Sequence, residues 1–545
     1  MKTKKLERLI LCSFFLFYLI IGIYTLEDYG INIEEHTQLY SGFYWLDYVF
    51  NFFDIDFLKD EIKIFLDKVA WDSSLPNPEV FTYGPVFDLP AAFIEVLSNS
   101  FDNNFYFKQR HFLVFLVFFI SSFVFFKILA SRFNNFFISF FGTLLYIFSP
   151  RIYGDSFHNN KDIIFLSLVV LSIYFTFKLF KKKTIKNILF FSLFSALATS
   201  TRIMGLFLPV SIILFFLLEK LNIKSKNNFK YIGLTVISYF LFLYLHWPFL
   251  WESPVVNFFE YISKSKDWVF SYYILFNGKY ILTTSLPDSY IFTWIGISTP
   301  ILNLILFLFG IYFLSRRFFL RLISIDRFKQ YNCDFWRNRN EMKDNFIIFN
   351  LFSIIAILIF LNVSLVSGWR HLYFLNIFIV YVGVFSLKYV FIKFRKFKNK
   401  IMFTFLILFI PNMYKIIIFH PYQSLYLNEI LNKKEKNNFL IDREGLSRFD
   451  SINKILELEN NKEIINIANA SFIPYYRIKD AITKDQRLRL NFIGREYDYA
   501  DYIYNNYVYE VDPNFNDKYD IPPNFKQIYS LEIDEIKIYE IYKRN

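Results

Sequence analysis

Glu34 and Glu35 follow directly on the first apolar stretch of the chain, in Asp28-Tyr29-Gly30-Ile31-Asn32-Ile33-Glu34-Glu35-His36. Carboxylates at the edge of hydrocarbon are costly to keep there and tend to mark a site. A third acid, Asp162, ends the run Ser149-Pro150-Arg151-Ile152-Tyr153-Gly154-Asp155-Ser156-Phe157-His158-Asn159-Asn160-Lys161-Asp162, which packs Arg151, His158 and Lys161 into one short stretch. Arg202, in Thr201-Arg202-Ile203-Met204-Gly205, and Arg370-His371, in Ser367-Gly368-Trp369-Arg370-His371, stand at junctions between apolar blocks. Carboxylates of this kind take up protons or hold a divalent ion, and a planar guanidinium suits phosphate oxygens. Each residue also has an ordinary alternative: a solvated pair for the glutamates, a helix cap for Asp162, and ion pairs with an acid such as Asp88 or Glu252 for the arginines.

Two further junctions, His246-Trp247-Pro248-Phe249-Leu250-Trp251-Glu252 and His420-Pro421-Tyr422, join aromatic faces to polar tips. Trp247, Trp251, His420, Tyr422 and His158 therefore suit contact with a sugar ring, and equally suit an aromatic belt at the membrane interface. No histidine spacing forms a structural metal site.

The elements that must position these residues are apolar blocks. Mean hydropathy of +0.31 and 55% apolar residues, gathered in stretches of helix-spanning length, indicate a mainly α, polytopic membrane protein. About eleven spans are expected, near 9 to 26, 111 to 130, 135 to 149, 162 to 180, 187 to 200, 203 to 218, 230 to 247, 292 to 314, 345 to 363, 372 to 391 and 401 to 419. The net charge of +12 invites a nucleic-acid reading, but the surplus lies in short loops between the blocks. With the basic N-terminus cytoplasmic, Lys181-Lys182-Lys183, the loop 316 to 343 and Lys393 to Lys400 alternate onto the same inner side, as the positive-inside rule requires. The opposite, outer face then receives residues 27 to 110, 150 to 161, 248 to 291 and 364 to 371, together with every histidine and seven of the eight tryptophans. Residues 1–420 form the membrane region, with a large first outer loop over 27–110. Residues 421–545 read as a small α/β domain outside the membrane, with a helix over 447 to 458, strands near 463 to 468, 488 to 493 and 501 to 504, and a final strand or hairpin over 533 to 542. Cys12 and Cys333 fall in different settings and offer no disulfide framework. The basic, then apolar N-terminus lacks a small-residue cleavage site and reads as a retained first span.

With these residues in this order, the chain resembles the GT-C glycosyltransferases, in the bacterial branch near the protein O-mannosyltransferases and the lipid A aminoarabinose transferase (glycosyltransferase family 39-like). The resemblance rests on Glu34-Glu35, on Asp162 at the end of the second outer loop, on Arg202-Ile203-Met204-Gly205, on Arg370-His371 and on His420-Pro421-Tyr422 before an outer domain. It implies an inner-membrane enzyme, inverting at the sugar, that moves a hexosyl or pentosyl group from a polyprenyl-phosphate carrier to a lipid, glycan or protein hydroxyl on the outer face. The family usually carries Asp-Glu in the first loop with the Asp as base, so the role passes to Glu34, and the longer side chain leaves open whether Glu34 or Glu35 reaches the acceptor. Glu35 and Asp162 would position the acceptor or a divalent cation, with Glu34, Glu35 and Asp162 as its candidate ligands. Arg151, Lys161, Arg202, Arg370 and His371 would hold the donor phosphate. A flippase for a lipid-linked sugar is the alternative, although transporters place their charges near the midplane and here they gather at one face.

Overall fold

The computed structural model describes residues 2–70, 82–98, 103–222, 228–267, 271–323, 335–365, 368–459 and 462–545. Cys333 and Ser367 lie outside the described residues, and Cys12 is free. Every apolar block is helical. Among the described residues, however, eight helices are long and apolar enough to cross a membrane, or nine if the bent pair Phe136–Ile147 and Pro150–His158 is one span. Two of the eleven expected blocks are shorter apolar helices that fall below that length. Helices Ile185–Thr201 and Phe207–Asn222, of 17 and 16 residues, reach roughly 25 Å at 1.5 Å per residue, short of ~30 Å of hydrocarbon. The block 292 to 314 is two helices, Tyr290–Ser298 and Ile301–Ile323, divided at Pro300, whose ring does not fit a helix interior.

Two spans run through the middle of the bundle: the apolar windows of Asp162–Lys181 and Leu375–Lys393 are 78% and 72% buried. The helices around them, such as Ile301–Ile323 and Lys398–Ile418, keep a wide apolar face outward. Asp162 opens the first central helix and Arg370 lies five residues before the second. Two candidate site residues therefore stand on the most rigid elements of the fold. At the far end of the bundle Asp344 accepts from Arg132 at 2.7 and 2.6 Å, from Arg317 at 2.7 Å and from the Tyr381 hydroxyl at 2.8 Å.

The segment between the first two spans holds the short helices Glu35–Phe52, Lys59–Ala70 and Asp88–Ser98. They share a core of Leu39, Phe43, Leu46, Phe65, Val96 and Tyr106. Arg110, fully buried, ties this layer down by donating to both Glu95 oxygens (2.7 and 3.1 Å) and to Asp88 at 3.3 Å.

A hairpin of β1 (Tyr273–Phe276) and β2 (Lys279–Leu282) precedes the C-terminal domain. That domain holds a five-stranded sheet of β3 (Ile465–Asn469), β4 (Leu490–Phe492), β5 (Tyr502–Asn505), β6 (Phe525–Ile533) and β7 (Ile536–Arg544), in the order β4-β3-β5-β7-β6. β3 runs parallel to β4 and β5, and β7 is antiparallel to β5 and β6. Of the strand or hairpin expected at the end of the chain, the structure forms the hairpin, turning at Asp534 and Glu535, both at positive φ. Asp534 also accepts from Lys415 and Lys436, each at 2.8 Å, which fixes the turn to the end of helix Lys398–Ile418. The α/β class expected for the tail is what the strands and the helix Ser447–Leu458 build.

Candidate active site

The turn Asp442-Arg443-Glu444-Gly445 leads into helix Ser447–Leu458. Asp442 accepts from the amides of Leu446 (3.0 Å) and Ser447 (3.3 Å), satisfying two donors at the start of helix Ser447–Leu458. Gly445 has φ +69°, a conformation that glycine adopts without strain. The turn then clasps the first loop: Ile33 donates its amide to the Glu444 carbonyl at 3.1 Å, and Arg448 reaches the Ile31 carbonyl at 2.7 Å. Glu444 is thereby placed against the residues that follow the first span.

Arg370 is the hub. Its Nη2 donates to Glu34 Oε1 at 2.5 Å and its Nη1 to Glu444 Oε1 at 3.0 Å, while its Nε lies 3.2 Å from Asp162 Oδ2. Asp162 pairs through its other oxygen with Arg202. Asn159 completes the frame, donating to Asp155 (3.0 Å) and Asp162 (3.1 Å) and accepting the Asp162 amide at 2.8 Å. One guanidinium therefore gathers three carboxylates from widely separated parts of the chain. Lys161 lies over the Tyr83 ring, 3.1 Å from its centroid, and His371 Nε2 is 3.5 Å from Arg370.

Of the three carboxylates on Arg370, Glu34 is the one that opens outward: its side chain is 41% exposed, against 2% for Asp162 and 11% for Glu444. Burial raises the Glu34 carboxyl, but the charge and hydrogen bond of Arg370 outweigh it and hold the group at about 2. Glu444 goes the other way. Burial lifts it to about 7, with Arg370 offsetting only part and Glu34 and Asp162 adding to the rise. Burial and the neighbouring Arg202 bring Lys161 down to about 7. The same two causes, with Arg370, keep His371 well below its ordinary value. The site therefore holds an ionised acid, a neutral imidazole, and two groups that titrate near neutrality.

Residues 91–247, which include Arg151, His158, Lys161, Asp162 and Arg202, match the family described as Dolichyl-phosphate-mannose-protein mannosyltransferase. No curated protein sequence matches the chain. Among solved structures, the chain is loosely similar to the apo oligosaccharyltransferase of Archaeoglobus fulgidus (12% identity, TM-score 0.46), covering 89% of this chain and 65% of that one. It is also loosely similar to ArnT from Cupriavidus metallidurans in the apo state (10% identity, TM-score 0.42), covering 97% of each. The chain spans 65% of the archaeal enzyme's length.

The structure gathers Glu34, Lys161, Asp162, Arg202, Arg370 and His371, and it parts the two glutamates. Glu35 is buried at 1% exposure and turned inward, accepting the Asn32 amide at 2.7 Å and meeting His111 Nε2 at 2.9 Å. It works as a bracket for the first loop. Arg151 donates to the Tyr426 carbonyl at 2.8 Å and stacks on Trp294, 5.1 Å from the ring centroid, while the charges of Asp155 and Glu444 act on its guanidinium. Trp247 is fully buried and donates to the Thr82 carbonyl at 3.2 Å, and Trp251 packs on Phe52 and Phe53. His420 meets Asp28 at 2.8 Å and Tyr422 donates to Asp450 at 2.5 Å. These four contacts are structural, so the structure does not gather them as a sugar platform. Asp162 does not cap its helix through its side chain. The arginine partners also differ from the ordinary alternatives: Arg110, not Arg202 or Arg370, takes Asp88, and Glu252 accepts from Tyr48 at 3.2 Å. Sequence reasoning missed Glu444, for which the glycine beside it, just ahead of the helical period of 447 to 458, was the one available signal.

The candidate ion ligands named from the sequence are not brought together, because Glu35 faces away and Arg370 occupies Glu34 and Asp162. Another group fits a divalent cation better. Ligating atoms of Asp155, His158 and Glu444 lie within 4.8 Å of one another. His158 is 1% exposed with neither ring nitrogen hydrogen-bonded, and Asp155 Oδ1 likewise lacks a partner. A cation held there would add positive charge beside Arg370.

Proposed function

We propose that the Arg370 cluster is the catalytic centre of an inverting glycosyltransferase that takes a sugar from a polyprenyl-phosphate carrier and gives it to an acceptor hydroxyl on the face covered by the soluble domain. The observation that carries this reading is a carboxylate open to solvent, Glu34, held on a guanidinium with two further cations, Arg202 and Lys161, in the same cluster. The match of residues 91–247 to a family named for a lipid-phosphate-linked mannose supports it.

In the reaction the acceptor oxygen attacks the anomeric carbon while the bond from that carbon to the phosphate oxygen breaks. The electron pair leaves with the polyprenyl phosphate, and Glu34 takes the hydroxyl proton. Arg370, Arg202 and Lys161 stabilise the charge that grows on the phosphate. Held at about 2, Glu34 is a weak base, whereas a base near the working pH is the effective one. Phosphate supplies the correction. An anion competing for Arg370 loosens the guanidinium's hold on Glu34 and raises the carboxyl's affinity for a proton, so donor binding itself readies the base.

The test is transfer of a labelled sugar from a synthetic polyprenyl-phosphate donor by purified protein. Glu34→Gln is expected to lower the rate about 10²- to 10⁴-fold with the fold intact, because Arg370 keeps Asp162 and Glu444. A rate within fivefold of wild type refutes Glu34 as the base. Lipid translocation without transfer would replace the enzyme reading with the flippase.

A further inference from the structure

At the end of the bundle away from the Arg370 cluster, a cavity of about 570 Å³ opens among Arg132, Arg317, Arg339, Glu341 and Lys388. Four cations line it against one carboxylate. Asp344, beneath the floor, already accepts from both Arg132 and Arg317, yet Arg317 Nη2 remains a buried donor with no partner. A second cavity, of about 810 Å³, is apolar and lined by Ile301, Leu302, Ile305, Phe309, Phe313 and Phe405 among others. Its lining runs from residue 301 to 313 of one helix, about 18 Å at 1.5 Å per residue, which exceeds the ~15 Å depth of one leaflet. Tyr389 lines both cavities. On helix Leu375–Lys393, Phe385, Lys388, Tyr389 and Ile392 face the basic cavity, and Ser386, Tyr389, Val390 and Lys393 face the apolar one.

A basic recess that adjoins a leaflet-deep apolar groove matches one kind of molecule: a lipid with an anionic phosphate headgroup and a long hydrocarbon chain. We propose that this pair of cavities binds an anionic phospholipid, its phosphate among Arg317, Arg339 and Lys388 and one acyl chain between helices Ile301–Ile323, Leu375–Lys393 and Lys398–Ile418. A polyprenyl-phosphate donor has the same chemistry but fits worse, because a phosphate seated here would hold its sugar at the opposite end of the bundle from Glu34. The site is therefore distinct from the transfer site.

The full chain in detergent is incubated with phosphatidylglycerol or with phosphatidylcholine of the same chain length, and bound lipid is counted by native mass spectrometry. Wild type is expected to retain one phosphatidylglycerol in strong preference to phosphatidylcholine. The Arg339→Ala/Lys388→Ala variant should lose about thirtyfold of that preference, the effect of two cations. Ile305→Trp fills the groove from its lipid-facing side and should lower retention of phosphatidylglycerol tenfold or more while leaving sugar transfer unchanged, which keeps the test decisive if the double variant misfolds. Equal retention of the two lipids, retention unaffected by Ile305→Trp, displacement by millimolar inorganic phosphate alone, or tighter retention of undecaprenyl phosphate would each overturn the assignment.

Discussion

Replacing Glu444 by Gln isolates the penalty of a carboxylate buried among other carboxylates. The group is 11% exposed, donates nothing when ionised, and is lifted from the ordinary 4.5 to about 7. Between those values the folded protein holds a proton that the unfolded chain has released, so stability falls as pH rises through this window. At ~1.4 kcal/mol per pH unit, the fall amounts to about 3 kcal/mol. Glutamine keeps the shape and an oxygen for Arg370 Nη1 but does not ionise. Wild type and Glu444→Gln should therefore differ little near pH 4.5 and separate as pH rises, with the variant ahead by about 3 kcal/mol at pH 8. Asp88, which burial raises to about 6 against the pull of Arg110, is common to both proteins and cancels in the difference. Thermal unfolding in detergent micelles from pH 5 to 8, followed by tryptophan fluorescence, reads the separation as a few degrees. Parallel curves, or a variant that falls behind at high pH, would refute the reasoning by showing that Arg370 outweighs burial at Glu444.

Removing Arg110 should act on the fold alone. Arg110→Met strands Glu95 and Asp88 without their cation and is expected to cost about 3–5 kcal/mol, read as lost thermal stability and partly restored by adding Glu95→Gln and Asp88→Asn. Lys161 loses its proton near pH 7, so the KM for the lipid-phosphate donor should rise severalfold between pH 6 and 8 in wild type and stay flat across that range in Lys161→Met, as initial rates over the pH series will show. Gly154→Ala would put a Cβ 2.7 Å from the Ser424 amide nitrogen and 3.1 Å from Gln423 Cβ. That overpacking costs about 1–3 kcal/mol and should push helix Pro150–His158 off the soluble domain, lowering sugar transfer at least tenfold.

Much of the fold was legible because hydropathy reports burial in lipid directly. The helical blocks follow from it. What hydropathy cannot report is phase. Glu34 and Glu35 are neighbours at a helix start, and on a helix adjacent side chains point about 100° apart, so one meets Arg370 and the other His111. Composition also cannot separate a buried ion from a solvated one: Asp88, Glu95 and Arg110 look like ordinary loop charges, yet they form the pin of the first outer layer. Glu444 was illegible for a related reason. Its importance depends on a backbone pairing with Ile33, more than four hundred residues away in the chain, and no local pattern encodes that contact. Trp247, Trp251, His420 and Tyr422 carry no single assignment in the sequence, because an aromatic beside a polar tip serves packing as well as it serves a sugar.

The clasp between the Glu444 turn and Ile33 gives the chain a built-in order of completion. Domains emerge and fold from the N-terminus during synthesis, so Glu34, Asp162, Arg202 and Arg370 are all in the membrane before Glu444 exists. Until then Arg370 has two carboxylate partners, and the third arrives with the turn that pairs with Ile33. A chain that stops short of this turn thus carries Glu34, Asp162 and Arg370 without the third carboxylate that Arg370 holds.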